Sequence, residues 1–195
     1  MSAVDVVLDE LRNELNTSIA STLLASHALG YFADEMRSWD SKVGRHPLNI
    51  WLGDPTVHFN DAEDPESPDA DRHTPSASIL RSEALRMMAL RGPIEINLSQ
   101  SWIVSFYARW EEHFRKRLAD AHACDGQAVI CPPLGDLRHL RNLVVHNGGE
   151  VDSRWRRSQV FSHWFEVGET IYLRGHHFLE FEQAIPWEAL KASTT

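Results

Sequence analysis

The sequence predicts an all-α protein, a bundle of four or five helices. Three observations lead there. Apolar residues recur every three or four positions through long stretches, and aromatic residues repeat at four-residue steps along one segment. Short apolar runs never alternate with helical patterns as a parallel α/β fold requires. With 195 residues, 43% of them hydrophobic, the chain is sized for a single domain over 1–195.

The first helix is expected from residue 3 to about 38, where Val4, Leu8, Leu11, Leu15, Ile19 and Leu23 trace one face, with a bend near Gly30. Residues 54–71 then hold seven Asp or Glu, no Lys or Arg, and three prolines, which predicts a solvated, mobile insertion loop over about 54–75. SASILRSEALRMMALRG predicts a short helix through Ile79, Leu80, Leu85, Met88 and Leu90 that stops at Gly92-Pro93. A third helix is expected to start at a capping box, Asn97-Leu98-Ser99-Gln100. It carries Leu98, Trp102, Phe106, Trp110, Phe114 and Leu118 inward and Glu111, Glu112, Arg115, Lys116 and Arg117 toward solvent.

Pro132-Pro133 closes a loop containing Cys124 and Cys131, and LGDLRHLRNLVVHNGG predicts a fourth helix with Leu134, Leu137, Leu140 and Val144 on its apolar side. Beyond it, FEVGETIYL allows one short strand near the C-terminus. Phe178, Phe181, Ile185 and Leu190 predict a last helix broken near Pro186.

Bulk properties narrow the function. A net charge of −9 argues against coating a polyanion by bulk electrostatics, so any nucleic-acid role must be local. The basic side begins at residue 137, where Arg138, Arg141, Arg154, Arg156 and Arg157 face only Glu150 and Asp152 through residue 157. The two cysteines fit neither a CxxC motif nor a zinc pair and predict reduced thiols. No export signal and no membrane-spanning stretch is visible, which points to the cytoplasm. Glycine loops that cradle phosphates and GxSxG elbows are missing. A metal site is the weakest reading, with His176, His177 and Glu180 at helical spacing and His46, His58 and His73 among acidic residues but no HExxH.

On the fourth helix each residue advances about 100°, so Asn142 and His146 share a direction with Arg138 one turn earlier, whereas Arg141 lies about 140° from His146. Two readings of RNLVVHNGG follow. A histidine in a last helical turn complements the carbonyl dipole, and Asn-Gly-Gly is an ordinary left-handed cap. Alternatively, the polar stripe is a site.

Arg141-Asn142 followed after three aliphatic residues by His146, within LRNLVVHNGG and behind SWIVSFYARWEEHFRKRLAD, resembles the HEPN superfamily of small helical-bundle proteins. The likeness spans about residues 97–185, and the acidic loop is a departure from it. The resemblance implies metal-independent, cofactor-free RNA cleavage by a toxin or defence protein. It further implies a composite site where two signature helices meet in a homodimer, and an antitoxin or other regulatory protein as partner. In that reading His146 is the acid and base, Arg141 stabilises charge on the phosphate and Asn142 orients the scissile group, while Arg138, Arg154, Arg156 and Arg157 hold the RNA backbone. RNA carries its own nucleophile, the 2′-hydroxyl, so a base, an acid and positive charge suffice. The alternative is a catalytically silent HEPN-like RNA-binding or scaffold module, which the acidic net charge favours.

Overall fold

A computed structural model describes residues 2–39, 47–50, 58–59 and 77–192. The chain is mostly helical, as the periodicity predicts. In order it forms α1 (Ala3–Ser38), three short strands β1 (Pro47–Ile50), β2 (His58–Phe59) and β3 (Ala77–Leu80), then α2 (Arg81–Met87), α3 (Pro93–Arg109), a π-helical segment (Trp110–Phe114), α4 (Arg115–His122), α5 (Pro132–His146), α6 (Gly175–Ala184) and α7 (Trp187–Lys191). It packs as two compact units, one built from the residues up to Ser26 and from Ile96 onward, the other within His27–Glu95.

The smaller unit departs most from expectation. Ser78, Ile79 and Leu80 lie in β3 and not in a helix, and only Arg81–Met87 is helical. The strands order β2-β1-β3, with Leu48 opposite Phe59 on one side and opposite Ile79 on the other, both antiparallel. Ala33, Met36, Leu48, Ala84 and Met88 form this unit's own core. Apart from His58–Phe59, the acidic stretch expected as a mobile loop lies outside the described residues, as do His46 and His73.

In the larger unit, Leu8, Leu11 and Leu15 of α1 are buried with the aromatic stripe, Leu134, Leu137 and Leu140 of α5, and Phe178, Phe181 and Leu190. The stripe is the core feature it was expected to be. At 100° per residue a four-residue step overshoots a full turn by 40°, so sixteen residues of pure α-helix would carry Leu118 about 160° from Trp102. Both are nonetheless buried in one cluster, because the segment Trp110–Phe114 is π-wound and fits more residues into a turn.

Three sequence expectations are corrected here. The third helix does not begin at a box on Asn97. It starts at Pro93, whose fixed φ and missing N–H suit a first turn. Ser99 and Gln100 then sit inside the helix and hold a distant segment: the Leu173 N–H donates to Ser99 Oγ (2.6 Å), and Gln100 Nε2 donates to the Ile171 carbonyl (3.2 Å). The expected C-terminal strand is reduced to a single antiparallel bridge, Glu150 to Thr170. The final helix does break at Pro186, between α6 and α7. Cys124 and Cys131 are free thiols, and burial pushes the Cys131 thiol up to about 12, which keeps it protonated and inert.

His177 is buried beside Trp164 and Phe165 and accepts the Arg174 N–H at Nδ1 (3.0 Å). Burial, reinforced by His176 and His163 against the opposing pull of Glu180, lowers its pKa to about 4. The folded state therefore resists a proton that the unfolded chain accepts near 6.5. The stability this gives is complete above 6.5 and is lost as pH falls from about 6.5 to about 4. Urea midpoints should decline across that window in the wild type and decline less in His177→Phe; parallel profiles would exclude His177 as the source.

Candidate functional site

The basic side predicted to start at residue 137 is built on α5. Cys131 precedes the helix, Pro132 and Pro133 start it, and Asn147, Gly148 and Gly149 end it, the Asn147 and Gly149 N–H groups both returning to the Leu143 carbonyl (2.9 and 3.1 Å). Both glycines have positive φ, and a Cβ on Gly149 would lie 2.2 Å from Gln100 Nε2, so the turn after His146 is tied to α3. Leu134, Leu137, Leu140 and Leu143 are buried. Arg138, His139, Asn142 and His146 are exposed, and Arg141 is half-buried.

A second segment lies over this helix. Asp136, buried in α5, accepts the backbone N–H groups of Gln159 (2.9 Å), Val160 (2.7 Å) and Phe161 (2.9 Å). That clamp fixes the preceding 3₁₀ turn, Ser153–Arg157, whose Trp155 is buried and whose arginines are exposed. Asp152 caps the turn by accepting the Arg154 N–H (2.8 Å) and pairs with the Arg154 guanidinium (2.7 Å), which holds its carboxyl below the usual carboxylate range.

Two clefts result. The first, about 270 Å³, lies between the π-wound part of the long helix and the first turns of α5. Its walls include Tyr107, Glu111, Arg115, Ile130, Arg138 and His139. Within it Glu111 is already engaged, accepting from the Tyr107 hydroxyl (3.2 Å) and from Arg115 (3.0 Å). Partial burial and the Glu111 charge raise the Tyr107 pKa, so its hydroxyl remains a donor. The second cleft, about 210 Å³, is lined by His139, Asn142, Leu143, Asp152, Arg154, Trp155 and Arg157. Arg157 lines both.

The structure therefore gathers part of the predicted set. Arg138 lines the first cleft, Asn142 and Arg154 the second, and Arg157 both. Arg156 is exposed and lines neither. Arg141 donates to its neighbour Asn142 at Oδ1 (3.1 Å). His146 stands in the exposed last turn beside the half-exposed Val145, outside both clefts.

One residue escaped the sequence reading. His139 lies seven residues before His146, within about 20° of the same direction, and belongs to the stripe with Arg138 and Asn142. Helical spacing alone places it there; its role as part of the wall between two clefts depends on the overlying turn, which spacing does not reveal. Among the described residues no group of three or more His, Cys, Asp or Glu side chains is placed to hold a metal ion, and no helix is long and apolar enough to cross a membrane. Compared with known proteins, the chain matches no family model, no curated protein and no solved structure.

Proposed function

We propose that the protein is a metal-independent endoribonuclease of HEPN type, acting as a homodimer that brings two copies of the α5 stripe together, in a toxin or defence setting. The observation that carries this reading is the exposed stripe Arg138, Asn142 and His146 on one side of α5, beside arginine-lined clefts in an otherwise acidic chain. A two-fold pairing of exposed α5 ends supplies two histidines, one to take the 2′-hydroxyl proton and one to protonate the leaving oxygen. Histidine titrates near neutrality and suits both tasks. In this arrangement Arg141, held by Asn142, stabilises charge on the phosphate, and an antitoxin or other protein restrains the enzyme.

A second reading keeps the RNA and drops the chemistry, leaving a silent RNA-binding or scaffold module. It is favoured by His146, which has no hydrogen-bond partner among the described residues to orient its ring. His146→Ala decides between them. The nuclease should lose about 10²–10⁴ of its cleavage rate on single-stranded RNA while its mass in solution stays unchanged. An unaltered rate would remove His146 from the chemistry.

A further inference from the structure

The two clefts on α5 share His139 and Arg157, so they are successive lobes along one helix face. We propose that they form a binding track for single-stranded RNA, with a backbone phosphate seated over Arg138, His139 and Arg157 and an adjoining base in the lobe formed by Val129, Ile130 and Pro132. This rests on the protein being an RNA enzyme or RNA binder, and not on where cleavage occurs.

The local charge supports a phosphate. Three carboxylates lie in or beside the track, and each is engaged: Glu111 by Arg115 and Tyr107, Asp152 by Arg154, and Asp136 by three backbone N–H groups. Arg138 and Arg157 have no carboxylate partner among the described residues, and neither does His139. The free positive charge of the region is thus concentrated at the junction of the lobes.

Shape supports a strand. Each lobe is smaller than the roughly 300–1,000 Å³ of a typical small-molecule pocket, so neither encloses a free cofactor, whereas a chain crossing both uses them in series. Ile130 is 71% exposed at the mouth of the first lobe, an apolar surface for an unpaired base. A duplex turns its bases inward and has none to offer.

The test is anisotropy titration of a fluorescent 2′-O-methyl RNA oligonucleotide, which lacks the nucleophile and cannot be cut, against the intact protein. Arg138→Gln and Arg157→Gln should each weaken binding about tenfold and lower the salt slope by about 0.7. Ile130→Ser should weaken it several-fold with the slope unchanged. Arg86→Gln, a surface change of equal charge paired with Glu83 outside the track, should have no effect. Unchanged binding in Arg138→Gln and Arg157→Gln, equal loss in Arg86→Gln, tighter binding of the duplex, or full competition by inorganic phosphate would each overturn the track. If His146→Ala cleaves normally while these effects hold, the nuclease reading fails and the track stands. If the wild type cuts RNA and the two arginine variants bind as it does, the track fails alone.

Discussion

Asp136→Ala is expected to lower stability by about 3 kcal/mol or more, because it strips three neighbouring backbone N–H groups of their acceptor in a buried setting. Water cannot fully replace it where Phe161 and Trp155 seal the segment. Asp136→Asn keeps an acceptor oxygen but loses the charge and part of the bonding, so its loss should be smaller. Urea denaturation of the three proteins checks the ordering, and a midpoint for Asp136→Ala within 1 kcal/mol of wild type would show that the clamp contributes little. The change should also reach the candidate site, because the clamped residues directly follow Arg157. RNA binding should weaken in Asp136→Ala at temperatures where the protein is still folded.

Trp102→Ala should cost about 3–5 kcal/mol. Its indole stacks on Phe106 (5.2 Å) and meets Phe178 (4.9 Å) and Phe181 (5.6 Å) edge-on, while Nε1 donates to Ser18 Oγ of α1 (3.0 Å). One side chain therefore joins α1, α3 and α6 through both ring contacts and a hydrogen bond. Trp102→Phe keeps most of the aromatic contact and leaves the Ser18 hydroxyl without that donor, so it should fall between wild type and alanine. Thermal unfolding followed by circular dichroism gives the comparison; equal loss in Trp102→Phe and Trp102→Ala would assign the effect to the hydrogen bond and not to packing.

The long helices were legible because their apolar residues repeat locally, and burial of Leu11, Leu15, Trp102, Phe106, Leu137 and Leu140 follows from spacing alone. What escaped depends on partners far along the chain. Ser78, Ile79 and Leu80 fit a helical pattern as well as a strand, and antiparallel pairing with β1, about thirty residues away, decides for the strand. Ser99 and Gln100 have the composition of a cap, yet Pro93 starts the helix earlier and frees them to hold Ile171 and Leu173. At the site, spacing placed Arg138, Asn142 and His146 on one face of α5. It did not show that Asp136 draws a second segment across that helix, which is why His139 and Arg157 acquire a shared position.

The π-wound segment limits how this helix can change in length. Removing one residue from Trp110–Phe114 would let the whole stretch wind as ordinary α-helix, but everything after it would turn by about 100°. Leu118 would swing away from the core, and Arg115 would leave both Glu111 and the cleft it lines. Core register and site geometry are thus set by a single local count of residues, so this helix tolerates substitutions along its outer face far better than any insertion or deletion.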